Sequence, residues 1–434
     1  MSLQIVAGGS GAGKSTYIYS DVIEKSMKYP EKNYIVVVPE QYTMATQKKL
    51  VDSHPRKGIL NIDVVSFERL SYKVFEEIGG QNYPVLDDTG KNLIVRKVLG
   101  DNRDKLRYFG SNINKTGFVS ELKSVISEFL QYDIDVKRLG EIRERVEDSR
   151  QLSAKLDDIS VVYSAFKEYL ADNYITSEEI LSVLCSVIDR SENIKRSEII
   201  LDGFTGFTPI QYRLIELLLI YSGKVIVSVT ADSREKLNVN EGVQQLFFMS
   251  KEMVSKLYRI CDVIHVDVLN PIILDNEKNP RFVSDEIAFL EKNIFRNNNQ
   301  SYNKKCEDIK IITAQTPKEE LNYCISEILR LTRYEGYRYR DIAIVSADMA
   351  SYGILAGNIC RQNRIPCFVD NKKPVTDNPF VEYIRSALEI IEKSFTYDSM
   401  FRYLRSGMSG ISREDVDLLD NYCLAVGIRG SKQW

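Results

Sequence analysis

Near its start the chain reads Gly8-Gly9-Ser10-Gly11-Ala12-Gly13-Lys14-Ser15, then Thr16, which fits the spacing G-x-x-x-x-G-K-[ST]. Glycines let a backbone curl round an anion and aim its N–H groups inward. A lysine at this position supplies a point charge for the β- and γ-phosphates, and the following serine is the expected magnesium ligand. The pattern carries weight only between a strand and a helix. Here LQIVAGG precedes it as a short apolar strand, and KSTYIYSDVIEKSMK follows with helical spacing. KNYIVVVPE then reads as a second strand, stopped by Pro39. Strand, loop, helix, strand is the opening of a parallel α/β domain whose helix directs its positive end at the loop. The ligand this implies is a nucleoside triphosphate, ATP with Mg2+, held by residues Gly8 to Thr16.

With 434 residues the chain is long enough for two or three domains. A formal net charge of −3 gives no global attraction to nucleic acid or membrane, so any basic groove has to be local. No apolar run has the length a bilayer span needs, and MSLQIVAGG lacks the basic and apolar regions of a signal peptide. The seven cysteines are dispersed without a C-x-x-C pair, the expectation for reduced thiols in a cytoplasmic protein. With histidine only at His54 and His265, chemistry built on histidine clusters is excluded.

Further along, NIDVVSFERL predicts a third strand with a helix behind it. From about residue 87 to 191 the pattern is amphipathic helix, as in GFVSELKSVISEFLQY and DDISVVYSAFKEYLADN. Strands return at SEIILDGF, GKVIVSVTAD and DVIHVDVL. This predicts a first parallel-sheet lobe from residues 1–86 and 192–300, with 87–191 as a helical insertion. Residues 276–305 are polar and turn-rich and read as a linker. A second α/β segment is expected over 306–380, with strands at DIKIITAQ, RDIAIVSADM and PCFVDN. Residues 381–434 read as the start of another helical insertion.

Together the loop, VVVPEQYTMATQ (36–47) and VVSFERLSYKVF (64–75) make the chain resemble the AddB subunits of bacterial ATP-dependent helicase/deoxyribonucleases. The resemblance runs through essentially the whole chain, which it identifies as the N-terminal portion of a longer protein. It implies a superfamily 1, UvrD-like architecture of RecA-like lobes with helical insertions. It further implies a heterodimer with an AddA-like motor and nuclease subunit, acting on DNA ends and single-stranded DNA in recombinational repair, with recognition of a Chi sequence. Family members carry a nuclease domain with an iron–sulfur cluster in their C-terminal region; no matching cysteine set occurs here.

Set against UvrD-like helicases, the chain departs at three places. The helicase pattern D-E-F-Q-D-T-N-P-x-Q appears as Asp202-Gly203-Phe204-Thr205-Gly206-Phe207-Thr208-Pro209-Ile210-Gln211. Asp202 keeps the magnesium position, whereas Gly203 stands where a glutamate activates the attacking water. The strand VIVSVTAD is not followed by the helicase glutamine, and Ala347 falls where DIAIVSA aligns with a phosphate-contacting arginine. Binding parts are present and hydrolytic parts are missing, which predicts ATP binding with little turnover.

Other candidates have plain structural readings. Gln41, Tyr42 and Thr43 lie where related helicases touch single-stranded DNA, or form a polar turn after a strand. Phe67 is expected in the core, and Asp202 itself has a turn-capping alternative. RYEGYRYR (333–340) interleaves Arg and Tyr and reads more readily as a solvated helix end than as a DNA contact. Arg361 and Arg364 fall in a predicted helix. Two competing functions remain open: a small-molecule P-loop kinase, and an architectural scaffold with a vestigial nucleotide site.

Overall fold

The computed structural model describes residues 1–79, 84–110, 112–113, 115–132, 134–146, 149–171, 174–239, 242–274, 281–296, 300–370 and 375–434. They divide into two compact units, Met1–Ile309 and Lys310–Trp434.

In the first unit the chain runs β1 (Ser2–Gly8), α1 (Lys14–Lys28), β2 (Asn33–Val37), α2 (Thr43–Ser53), β3 (Ile62–Val65) and α3 (Phe67–Ile78). It continues through β4 (Val85–Leu86), α4 (Asp88–Asp101), α5 (Thr116–Gln131), α6 (Val136–Glu144), α7 (Arg150–Leu170), β5 (Ile175–Thr176), α8 (Ile180–Val187) and α9 (Glu192–Lys195). Then come β6 (Ser197–Leu201), α10 (Pro209–Tyr221), β7 (Lys224–Thr230), α11 (Phe248–Ile264), β8 (Asp267–Val268), β9 (Ile272–Leu274) and α12 (Asp285–Asn293).

The main sheet has the order β3-β2-β6-β7-β1-β8, and β9 also pairs with β1. Every pairing is parallel. Its sidedness follows from period-two alternation. Leu3, Ile5 and Ala7 of β1 join Ile35, Val37, Ile199, Leu201, Val225 and Val227 on one face, under α3, α8, α10 and α11. Val6, Val36, Ile200 and Ile226 form the other face, under α1 and α2. Both faces are covered, which is why these strands read as near-continuous apolar runs.

The helices between β4 and β5 have a core of their own, in which Val95, Leu99, Ile126, Val162 and Phe166 are buried. Asp158 is pinned inside this region by the backbone N–H groups of Arg107, Tyr108 and Phe109 at 2.8–3.0 Å. α8 and α9 contribute instead to the core under the sheet, through Ile180, Leu184 and Ile194. β4 and β5 pair in parallel over two residues, joining the entry and exit of the helical region.

Two local expectations are revised. DVIHVDVL is strand only at Asp267–Val268, because α11 runs on to Ile264 and ends at His265 in a left-handed cap (φ 55°). The polar stretch 276–305 contains helix α12, started by the Ser284 hydroxyl accepting from Ile287 N–H; its residues 276–280 and 297–299 lie outside the described residues.

The second unit contains α13 (Pro317–Tyr334), α14 (Met349–Gln362), α15 (Pro379–Glu392), α16 (Tyr397–Arg405) and α17 (Arg413–Val426). The expected helices form, and α13 packs on α14 through Leu321, Ile325, Ile328 and Ile359. The three strands expected at 308–315, 340–349 and 366–371 do not form among the described residues. A strand needs a partner in register to satisfy its backbone, and none of the three is in ladder register with another. Ile342 packs against the α13–α14 core, while Ile311, Val345 and Phe368 are 92%, 92% and 89% exposed.

Candidate nucleotide site

All elements of the candidate site meet at the carboxyl edge of the parallel sheet, where α/β proteins bind ligands. The loop leaves β1, Asp202 follows β6, and Ser228 and Thr230 belong to the end of β7. β7 lies between the strand that carries the loop and the strand that leads to Asp202. A cavity of about 420 Å³ is lined by Ser10, Gly11, Gly13, Lys14, Ser15, Thr16, Lys49, Asp202, Gly203, Phe204, Thr205, Ser228, Thr230 and Arg281.

The loop has the shape its glycines allow. Gly11 and Gly13 have φ of 80° and 92°, a region other residues rarely enter. A methyl group on Gly8 would stand 2.9 Å from the Leu274 carbonyl oxygen of β9, so close packing requires glycine there. Ala12 N–H donates to Gly9 O at 3.2 Å, closing the turn. Gly13 caps α1, whose first turn carries no acidic residue, so its N–H groups face the cavity with their positive end uncompensated. Lys14 Nζ donates to the carbonyl oxygens of Gly8 and Gly9 at 2.9 and 2.8 Å. Burial lowers the Lys14 pKa, Asp202 opposes this, and Arg281 adds to the lowering. These groups fit a polyphosphate: a left-handed backbone cradle, a helix N-terminus and a lysine turned inward.

The acidic corner differs. Asp202 is 5% exposed. Its Oδ2 accepts from the Tyr19 hydroxyl at 2.6 Å and its Oδ1 from the Ser228 hydroxyl at 2.5 Å. Ser228 Oγ in turn accepts from Gly203 N–H at 3.2 Å. Burial together with Asp202 holds the pKa of the Tyr19 phenol far above the usual tyrosine value. Ser15, which lines the cavity, fits as a magnesium-facing hydroxyl, while each oxygen of Asp202 already accepts a hydroxyl hydrogen bond.

Gly203 has φ 82°, so its position is a backbone turn as well as the place of a missing glutamate. The loop beyond it is aromatic. Phe204 lies 5.3 Å from Phe67 and 5.2 Å from Phe207, and Phe207 packs edge-on to Tyr212. Phe67 is buried, as expected. Thr208-Pro209-Ile210-Gln211 starts α10: Pro209 is in the first turn and Thr208 N–H donates to Gln211 Oε1 at 2.9 Å.

Among the remaining candidates, Thr43 is buried and its hydroxyl closes a turn onto the Glu40 carbonyl at 2.9 Å, whereas Gln41 and Tyr42 are exposed. Arg338 is paired with Asp341 at 2.8 Å, which neutralises part of the 333–340 run. Arg361 donates to Asn358 on its own helix, and Arg364 lies just past that helix at φ 55°. Three site residues had no motif to reveal them. Arg281 reaches the loop from far along the chain, with Nη1 donating to Ser10 Oγ at 3.2 Å. Lys49 arrives from α2, its Nζ 5.4 Å from the centre of the Tyr19 ring. Tyr19 was readable in principle: it is four residues after Ser15 and hence on the same helical face.

A parallel sheet with helices on both faces defines an α/β protein, with a glycine-rich loop between its first strand and first helix. More particularly, the chain belongs to the family described as "ADDB, N-terminal", which matches residues 5–291. It is 45% identical over its whole length to the B subunit of the ATP-dependent helicase/deoxyribonuclease of Lachnoclostridium phytofermentans. The corresponding subunits of Clostridium novyi and Ruminiclostridium cellulolyticum are 36% and 33% identical, again over the whole chain. In each case the chain spans 38% of the relative's length. No helix among the described residues is long and apolar enough to cross a membrane.

Proposed function

We propose that this chain is the nucleotide-binding, helicase-like N-terminal region of an AddB-type subunit in an ATP-dependent helicase/deoxyribonuclease. In this reading it binds ATP, with magnesium at Ser15, and does not itself act as a motor. The sheet order, the split first lobe and the α13–α14 pair suit a superfamily 1 arrangement of RecA-like lobes. Working with an AddA-like subunit, it would help engage DNA ends and single strands during double-strand break repair, including the recognition of Chi. Magnesium arriving with the nucleotide would add to charge neutralisation, while the chain's own residues do the holding: loop amides and Lys14 clasp the phosphates, and Arg281 closes over Ser10.

The observation that carries this reading is the pairing, in one cavity, of a complete phosphate cradle with an acidic corner built for structure. Asp202 bolts α1 to β7 through Tyr19 and Ser228, and the next residue is a left-handed glycine. Equilibrium titration of the purified chain with a fluorescent ATP analogue tests it. Saturable binding that unlabelled ATP competes away is the expected result, and absence of saturable binding refutes it. The same titration separates this reading from a vestigial scaffold. A small-molecule kinase is disfavoured by the family membership and by the 309-residue first unit, which is mostly sheet lobe and helical insertion.

A further inference from the structure

Given the nucleotide binding proposed for this site, on which the inference rests, the acidic corner bears on how the site treats its metal. In a metal-dependent site the carboxylate after the strand is available to the magnesium shell and the loop serine faces it. Here a phenol donates to that carboxylate. Tyr19 is 4% exposed and reaches Asp202 from α1, while Ser228 reaches it from β7. The Tyr19 and Ser228 hydroxyls satisfy the buried carboxylate without a cation. A buried carboxylate with two hydroxyl donors has little to gain from a metal that must first displace them.

The opposite wall of the cavity supplies positive charge. Lys14, Lys49 and Arg281 all line the cavity, and Asp202 is the one carboxylate among its described lining residues. Three cations of the protein therefore line the cavity, two of them outside the loop motif.

We infer that Tyr19 withdraws Asp202 from metal binding, so that this site takes a nucleoside triphosphate with little dependence on magnesium, the phosphate charge being met by Lys14, Lys49 and Arg281. Tyr19 is a positioning residue in this scheme. It acts on the ligand through Asp202.

The test is a fluorescent-ATP titration of the purified chain in millimolar magnesium and, separately, in EDTA. For the unmodified chain the two affinities are expected to agree within about threefold, where a metal-dependent site shows a difference on the order of 30-fold or more. Tyr19→Phe removes one donor from Asp202 and frees Oδ2. The magnesium-to-EDTA affinity ratio should then rise to about tenfold or more. Ser228→Ala frees Oδ1 and should move the ratio the same way, so the question survives if either variant fails to fold, which thermal melting reports. A 30-fold preference for magnesium in the unmodified chain, on the order used above, overturns the inference and leaves the nucleotide reading standing. An unchanged ratio in a folded Tyr19→Phe or Ser228→Ala chain also overturns it. No saturable binding in either buffer overturns both.

Discussion

Replacing Lys14 by alanine isolates the contribution of one cation to the proposed binding. Without ligand, the ammonium is spent on the carbonyls of Gly8 and Gly9 at 2.9 and 2.8 Å. Binding a triphosphate exchanges these for charge-assisted bonds to phosphate oxygens. Two such bonds contribute about 1.5–3 kcal/mol each, and the two carbonyl bonds surrendered offset about 0.5–1 kcal/mol each. The net loss on removing Lys14 is then about 1–5 kcal/mol, or roughly 5- to 4000-fold in dissociation constant. Folding stability should fall somewhat as well, since Gly8 and Gly9 are buried and their carbonyls lose a donor. The assay is competition between a fluorescent ATP analogue and unlabelled ATP for both proteins, with circular-dichroism melting as the control. Equal affinities in two equally folded proteins would refute the placement of phosphate beside Lys14.

Gly203→Glu should lower thermal stability by about 1–2 kcal/mol, because a side chain is disfavoured at its left-handed φ; a melting midpoint at or above that of the unmodified chain contradicts this. Acid should loosen the end of β7. Burial pushes the Asp232 carboxyl up, but hydrogen bonds from Arg234, its backbone N–H and Arg296 outweigh this and hold the pKa at about 2. A depressed folded pKa stabilises above the unfolded value near 3.9 and loses that contribution as pH falls through about 2. The contribution is at most about 2 kcal/mol, reduced by solvent around the half-exposed Arg234. Asp232→Asn should accordingly flatten the fall in stability between about pH 4 and pH 2; an unchanged acid slope counts against it. The isolated chain, at net charge −3, should bind DNA ends weakly and lose that binding as salt rises. Tight binding insensitive to salt, measured by anisotropy, would show that phosphate contacts are not what holds DNA.

The parts of the fold legible in the sequence are those whose signals are local. β1, α1 and β2 follow from apolar runs broken by the glycine loop and Pro39, and α3 follows from an apolar stripe behind the Ser66 cap. The extended segments around Ile311, Val345 and Phe368 carry the same β-branched and apolar signal, yet form no ladder among the described residues. Strand propensity reports a side chain's fit to a sheet, and pairing depends on a neighbour elsewhere in the chain. The site divides in the same way. The loop is contiguous and was readable residue by residue. Arg281 and Lys49 reach the cavity only through tertiary packing. Asp202 was readable as a position but not as a bond, because the Tyr19 and Ser228 hydroxyls that occupy it lie 183 and 26 residues away.

That occupied carboxylate sharpens the expectation for turnover. Hydrolysis needs a base for water and charge stabilisers for the transition state. Gly203 offers no base, no glutamine follows β7 in the SVTADSRE stretch, and Ala347 stands where the helicase pattern has arginine. Each such group typically contributes a factor of about 10² or more, and the factors need not multiply because they act on one transition state. Within β7's own continuation, Asp232 is held by Arg234 and Arg296, which leaves it no freedom to serve the nucleotide. Gly203→Glu should bring no rescue, since the other groups stay absent and the new side chain starts from a strained backbone. A partner subunit can supply an arginine in trans, so the measurement uses the purified chain alone. Phosphate release is followed with and without single-stranded DNA, with Lys14→Ala as the control for contaminating ATPases. Release should stay far below motor rates in both. DNA-stimulated turnover of about 1 s⁻¹ or faster, within the ordinary enzyme range and abolished by Lys14→Ala, would show that the site hydrolyses ATP by groups other than those its helicase relatives use.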